Sequence, residues 1–160
     1  MRTEDVPSVT INEEKISEFV SSLEAKVIKE GIAYEPWAKY HLDPNSYPIE
    51  AVLAYTFVVD AMNFCFWPGN PAGNFEYENM TRNLARILDE SPEFFSAEKL
   101  ATEVTAEVLR KRVFEDKDFA LLEERARIVN EVGTVIQRHY GGSFLRFMES
   151  CKFDAVLLVR

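Results

Sequence analysis

The sequence is poor in cysteine, glycine and proline, and it has fewer basic than acidic residues. Its 160 residues include two cysteines, six glycines and seven prolines, which excludes disulfide-rich, collagen-like and low-complexity architectures. Cys65 and Cys151 each lie in an apolar run, so we interpret them as buried small side chains in a reducing, cytoplasmic protein. Eighteen Lys and Arg stand against 27 Asp and Glu, and the net charge of −9 argues against nucleic acid or an anionic membrane as the main partner.

The sequence also lacks the long apolar runs of secreted and membrane proteins. The first residues, Met-Arg-Thr-Glu-Asp, are not followed by an apolar segment, so we expect no secretory signal. The longest apolar run, Ile49–Trp67, is interrupted by four polar side chains and is a poor candidate for a transmembrane helix. Signatures of phosphate loops, dinucleotide-binding folds, metal clusters and nucleophile elbows are missing as well.

The residues that are present show helical periodicity. Apolar residues make up 47% of the chain, and in nearly every segment they recur at steps of three and four. This pattern predicts an all-α fold, a compact helical domain over residues 1–160 with about six helices and no required strand. The predicted helices carry apolar stripes in the following ranges: Ile16–Val27, Ile49–Phe66, Tyr77–Ile87, Leu100–Leu109, Phe119–Tyr140 and Phe144–Leu158.

Turn residues separate these helices. Pro68–Asn74 is the plainest loop, and Ser91-Pro92 ends the third predicted helix. The range Gly141–Phe144 has two interpretations, a phosphate site on the free N–H groups of a helix start, or simply a helix stop followed by an N-cap. Ala155–Arg160 is an apolar helical run without a stop signal, which predicts either a docked terminus or a chain that is cut short.

The second predicted helix is apolar on nearly all sides, so we expect it to be central and buried. Its polar residues follow one another at steps of four, three and four, which places them on one face: Thr56, Asp60, Asn63 and Trp67. A buried carboxylate needs a partner. Two interpretations are open for Asp60. It belongs to a structural network, capping a helix or pairing with Arg125 or Arg127, or it lines a ligand pocket with Asn63 and Trp67.

The two histidines also have structural and functional interpretations. His41 follows Trp37 in an aromatic-rich irregular segment, which suits either a pocket rim that binds a planar ligand or simple packing against Trp37. His139 lies near the end of the fifth predicted helix, where the helix dipole accounts for a cation. Glu123-Glu124-Arg125 predicts a solvated charged face, because adjacent helical residues point in different directions.

Four blocks of the sequence together resemble one known family. Asp60–Trp67 resembles its D-x-x-N-F-x-F-W signature, and Trp37 with His41 matches its W-x-x-x-H element. Glu123–Ile128 resembles its E-E-R-x-R-I block, and Gly141–Leu145 its G-G-S-F-L block. Order and spacing agree along the chain, which is therefore similar to the queuosine salvage proteins, the queuosine 5′-phosphate N-glycosylases.

The resemblance implies a helical fold similar to that of DNA glycosylases and hydrolysis of the N-glycosidic bond of queuosine 5′-phosphate. The base queuine is thereby released for reuse in tRNA modification. The resemblance also implies a small-molecule substrate without a metal or organic cofactor, and no direct nucleic-acid or membrane partner. Carried over by position, His41 contacts the queuine base, and the matched residues Asp60, Asn63, Phe64 and Trp67 build or support the substrate pocket.

The chain departs from the family in length. Family members are about twice as long, and the resemblance covers their N-terminal half, so we expect Arg160 to interrupt a helix of a longer protein. The family's catalytic aspartate follows a later K-R-A-Q-like motif, and the catalytic residue is therefore not assigned here. The alternative is a non-catalytic helical interaction module, which exposes the apolar face on which a second half would pack and self-associates through it.

Overall fold

The computed structural model describes residues 12–30, 39–66 and 75–158. Every regular element in these ranges is helical, which confirms the all-α prediction. Contacts divide the chain into two units, Met1–Glu35 and Pro36–Arg160. Among the helices described, none combines the length and the apolar character that a bilayer crossing requires.

The first unit contributes one described helix, α1 (Glu13–Glu30). The Asn12 side chain accepts a hydrogen bond from the backbone N–H of Lys15 at 2.9 Å, and two glutamates in the first turn complement the helix dipole. The predicted apolar stripe is present on this helix, but its side chains are 39–63% exposed: Ile16, Phe19, Val20, Leu23 and Val27.

The second unit contains seven described α-helices and two 3₁₀ turns, Pro44–Ser46 and Pro92–Phe95. The helices are α2 (Ile49–Met62), α3 (Tyr77–Glu90), α4 (Ala97–Thr102), α5 (Ala106–Arg112), α6 (Leu122–Tyr140), α7 (Phe144–Ser150) and α8 (Ala155–Leu158). Helix α6 packs most extensively on α4 and also contacts α2, α5 and α7, while α2 packs on α3, α6 and α7. Helix α2 is central, as predicted, and buries its apolar side chains in the core: Ala54, Tyr55, Val58, Val59 and Met62.

Helices α4 and α6 approach each other at Gly133. A Cβ atom at this position would lie 2.4 Å from the backbone nitrogen of Ala101 and 2.7 Å from the carbonyl oxygen of Ala97. The two backbones therefore touch, and only glycine fits between them.

Two predicted helix boundaries were wrong. The second predicted helix ends at Met62 rather than Phe66, and the fifth begins at Leu122 rather than Phe119. Leu121 before it adopts a left-handed conformation with φ 58°, which turns the chain so that Phe119 stacks on Phe114 with ring centroids 4.6 Å apart. Burial of the Phe119 ring in the core thus takes precedence over one more helical turn.

The fourth and sixth predicted helices are each interrupted. The fourth divides into α4 and α5, because the Thr105 side chain caps a new helix by accepting from the Val108 N–H at 3.2 Å. The sixth divides into α7 and α8 after a turn in which Lys152 and Phe153 have positive φ. Asp154 then accepts from two backbone N–H groups at the start of α8. In both cases a polar side chain satisfies helix N–H groups that a continuous helix would have used internally.

Candidate functional site

The carboxyl end of α2 carries most of the residues that the signature block singled out. Asp60 lies in the last turn of α2, Asn63 is its C-cap, and Phe64 follows in the segment after the helix. Trp67 and the stacking partner Trp37 lie outside the described residues. The polar stripe predicted from helical periodicity therefore holds for Thr56 and Asp60 but not beyond Met62, where the helix has ended.

The exit of α2 is held by Arg125 of α6, which is completely buried. Its Nε donates to the carbonyl oxygen of Met62 at 3.3 Å, and its Nη2 donates to that of Phe64. Its Nη1 donates to the carbonyl of Ala120, just before α6. One side chain thus joins the end of α2 to the start of α6, and it satisfies carbonyl groups that a longer α2 would have bonded internally.

Aromatic rings surround the guanidinium of Arg125. It lies 4.1 Å from the ring centroid of Phe64 and 4.7 Å from that of Phe119, distances at which the ring face stabilises a cation. Burial lowers the pKa of Arg125 to about 10, and an opposing contribution comes from Cys65. The group therefore remains charged at neutral pH. The Phe64 ring therefore packs against the side chain of a residue 61 positions away.

These contacts correct two predictions about the arginines. Arg125 is not part of a solvated face, and its guanidinium hydrogens bind carbonyl oxygens rather than Asp60. Arg127, two positions along α6, is exposed and pairs with Glu124 and Glu131 of its own helix. The structural network proposed for Asp60 therefore does not involve either arginine, because the turn of α6 points one into the core and the other into water.

His41 lies between two tyrosine hydroxyls. The Oη of Tyr55 is 3.3 Å from its Nδ1, and the Oη of Tyr77 is 3.2 Å from its Nε2. Tyr55 belongs to α2 and Tyr77 begins α3, so the imidazole is held by two different helices. Partial burial lowers the pKa of His41 below its ordinary value of 6.5, and the charge of Asp60 opposes that shift. The ring is therefore neutral at physiological pH.

Asp60 is exposed, which corrects the prediction that its side chain is buried. Asp60 lies in the last turn of α2, and the residues around it cover its side chain only in part. Partial desolvation still raises its pKa, and His41 opposes the shift. The pKa of Tyr77 is raised first by burial and then by the charge of Asp60. His41, Asp60 and Tyr77 therefore interact electrostatically, and we call them, with Tyr55, the His41 cluster.

Asn63, the C-cap of α2, is exposed, and Phe64 is half-buried. Sequence reasoning missed Tyr55 and Tyr77, because a tyrosine in an apolar stripe gives no sign of where its hydroxyl points.

A cavity of about 610 Å³ lies between α5 and the start of α6, with Arg110, Asp118 and Phe119 in its lining. None of the His41 cluster lines it. Among the residues described, no group of three or more His, Cys, Asp or Glu side chains is arranged to hold a metal ion.

The Gly141–Phe144 range forms a helix stop and an N-cap, as its structural interpretation predicted. Gly141 and Gly142 have positive φ at the end of α6. The Glu50 carboxylate accepts from the Ser143 hydroxyl at 3.0 Å and from the N–H groups of Phe144 and Leu145 at 2.5 and 3.0 Å. These N–H groups are therefore already used by an anionic side chain, and a phosphate at this position would compete with Glu50.

Comparisons with known proteins agree with the signature blocks. Residues 42–160 match the family model described as queuosine salvage protein. The queuosine 5′-phosphate N-glycosylase/hydrolase of Dictyostelium discoideum is 36% identical over 110 residues, which cover 69% of this chain and 32% of that protein. Its counterpart from Bos taurus is 30% identical over 169 residues, covering 98% of this chain and 49% of the relative. The chain spans about a third to a half of the length of these curated relatives.

Proposed function

Because this chain belongs to the queuosine salvage protein family, we propose that it takes part in hydrolysis of the N-glycosidic bond of queuosine 5′-phosphate. The products are the base queuine, which becomes available for tRNA modification, and a ribose phosphate. The observation that supports this most directly is the His41 cluster. It brings a neutral imidazole and a partly desolvated carboxylate, both from matched signature positions, to the same end of α2.

This pair suits the chemistry of glycosidic cleavage. The transition state resembles an oxocarbenium ion, and a nearby carboxylate stabilises its positive charge. Hydrogen bonds at the edge of the departing base also hold it in the orientation that the reaction requires. We assign contact with the base to His41 and place Asp60 and Asn63 on the exposed wall of the pocket. Phe64 supports that wall from the core side through its contact with Arg125.

The carboxylate that stabilises the oxocarbenium ion comes either from Asp60 or from a later block of the family. Within the described ranges Asp60 is the carboxylate that acts on His41, and it is the one candidate here for the charge that stabilises the oxocarbenium ion. The resemblance places the family's catalytic aspartate in a later block than those that this sequence matches. We therefore propose that Asp60 binds substrate, and that the complete reaction uses a carboxylate from that later block.

The experiment is a measurement of queuine release by mass spectrometry from queuosine 5′-phosphate incubated with the 160-residue chain. Asp60→Asn is the test variant, and Asp118→Asn, an exposed aspartate that is not part of the His41 cluster, is the matched control. Circular dichroism establishes that each protein is folded.

Each outcome has a defined meaning. Release by the chain that is lost in Asp60→Asn places the chemistry at Asp60 and contradicts the assignment to a later block. No release, together with measurable binding of queuosine 5′-phosphate that Asp60→Asn weakens, supports a substrate-binding role. Neither release nor binding by a folded chain contradicts the proposed function for this part of the protein.

The non-catalytic alternative is less well supported, because the relatives are named as hydrolases. This alternative also predicts self-association through an exposed apolar face, which can be tested. Phe153, Val156 and Leu157 around α8 are 41–61% exposed, and we propose that they mediate self-association at high concentration. Light scattering over a concentration series, with Val156→Asp as the variant, measures this. A monomer at all concentrations contradicts it. Cytoplasmic localisation and the absence of cofactor and nucleic-acid partners likewise remain predictions.

A further inference from the structure

The hydroxyl of Tyr55 lies between His41 and a backbone carbonyl of α3. Tyr55 is fully buried in α2, and its Oη lies 3.1 Å from the backbone carbonyl oxygen of Thr81 in α3. A carbonyl oxygen only accepts, so the single hydroxyl hydrogen of Tyr55 points to Thr81. The Tyr55 oxygen is then left with lone pairs alone for its other neighbours.

The tautomer of His41 follows from this geometry. The contact of 3.3 Å between Tyr55 Oη and His41 Nδ1 requires a hydrogen, and Tyr55 has none left to give, so Nδ1–H is the donor. A neutral imidazole carries one ring hydrogen, and Nε2 is therefore an acceptor. The Tyr77 hydroxyl, 3.2 Å from Nε2, donates to it. In this series of hydrogen bonds, Tyr77 donates to His41, His41 donates to Tyr55, and Tyr55 donates to Thr81, so that each hydrogen has one acceptor.

We propose that Tyr55 is a positioning residue that holds His41 as the Nδ1–H tautomer, so that Nε2 presents a hydrogen-bond acceptor to an N–H donor of the substrate base. This deepens the proposed function and rests on it. Tyr77 occupies the acceptor in the free protein, and a ligand donor replaces or joins it on binding. A guanine-like base carries a ring N–H and an amino group along one edge, and either can donate to the Nε2 of the imidazole.

The electrostatics of the site also favour the neutral form of the His41 imidazole. Among the residues that the structure describes, the titratable groups that act on His41 are Tyr55 and Asp60 from α2 and Tyr77 from α3. Burial disfavours the imidazolium, although Asp60 partly offsets this. His41 therefore enters the reaction as a neutral acceptor that orients the base, and not as an acid that protonates it.

The chain contains two histidines, so long-range ¹H–¹⁵N NMR can assign both rings in the intact protein. We expect a pyrrole-type Nδ1 and a pyridine-type Nε2 for His41 at pH 7.5. His139, exposed in the last turn of α6, is the internal control and should show the Nε2–H form that free histidine favours. A pyridine-type Nδ1 on His41 in the unaltered protein overturns the proposal without any variant.

Two tyrosine variants test whether Tyr55 determines the tautomer of His41. Tyr55→Phe removes the acceptor of Nδ1–H, and we expect the Nε2–H form of His41 to become the major one. Tyr77→Phe, the matched control, removes the donor to Nε2 and should leave Nδ1 protonated. Unchanged His139 signals show that each variant keeps its fold. A His41 tautomer that is the same in Tyr55→Phe as in the unaltered chain overturns the role of Tyr55.

Binding of queuine separates this inference from the proposed function. We expect queuine to shift the Nε2 resonance of His41 while Nδ1 stays protonated, and Tyr55→Phe to weaken queuine binding by about 3- to 10-fold. Queuine binding that leaves Nε2 unchanged overturns the base contact although the family function stands. No queuine binding, with the Nδ1–H tautomer observed, refutes the proposed function of this site and the ligand part of the inference, while the tautomer is confirmed.

Discussion

Replacing Arg125 by alanine tests whether a single buried cation holds the candidate site together. The guanidinium donates to three backbone carbonyls, those of Met62, Phe64 and Ala120. Its removal takes this donor from all three oxygens, of which that of Met62 still accepts from the N–H of Phe64, and it opens a space between the aromatic rings around the guanidinium. Each buried acceptor that loses its partner costs about 1–3 kcal/mol, although water entering the space recovers part of this. We therefore expect Arg125→Ala to lower the free energy of unfolding by about 3–5 kcal/mol, out of the roughly 5–15 kcal/mol of a domain.

The free energy of unfolding of Arg125→Lys should lie between those of the unaltered chain and Arg125→Ala. A lysine ammonium keeps the charge, but it has no planar fork and reaches fewer of the three carbonyls. It also stacks less well on the Phe64 ring. We expect about half of the loss caused by alanine, roughly 2 kcal/mol. The matched control is Arg127→Ala in the same helix, where the side chain is exposed and its ion pairs are with neighbours on the helix surface, so the change should be close to zero.

The assay is urea unfolding followed by far-ultraviolet circular dichroism. With a slope of about 1–3 kcal/mol per molar for a protein of this size, the loss in Arg125→Ala corresponds to a midpoint about 2 M lower. Arg127→Ala should keep the midpoint of the unaltered chain. Equal midpoints for Arg125→Ala and Arg127→Ala would refute the reasoning, because they would show that the three carbonyl contacts contribute nothing measurable.

Three further predictions concern other contacts. Gly133→Ala should lower the free energy of unfolding by about 3 kcal/mol or more despite alanine's better helix propensity, because its Cβ meets the backbone nitrogen of Ala101; Thr134→Ala, at an exposed site beside it, should be neutral or slightly stabilising in the same urea titration. Glu50→Ala should cost about 1–2 kcal/mol by thermal melting, since α7 loses its capping carboxylate, and Glu50→Gln should cost less because one carbonyl-type acceptor remains. The pKa of His41 is lowered from 6.5, so below that pH the unfolded chain binds more protons and stability should rise with pH toward neutrality. His41→Gln should remove this slope, and an unchanged slope would contradict the burial of the imidazole.

Local patterns in the sequence were sufficient for the fold class and the family. Apolar residues at steps of three and four predict helices because the periodicity belongs to one element at a time. The stops at Ser91-Pro92 and Gly141-Gly142 were predicted correctly for the same reason, since proline and left-handed glycine act within one turn. The Asp60–Phe64 signature and the position of His41 were also readable directly from contiguous residues, and the structure brings Asp60 and His41 into electrostatic contact.

Only the tertiary structure decided where each polar side chain is placed. Arg125 and Arg127 are two residues apart and alike in sequence context, yet one is buried among carbonyl oxygens and the other is exposed. The carbonyl of Met62, the last residue of α2, accepts from Arg125, 63 positions away. The tautomer of His41 depends on Tyr55, whose hydroxyl hydrogen is directed by a carbonyl of α3. Desolvation and hydrogen-bond partners come from residues distant in the chain, and no local pattern contains them.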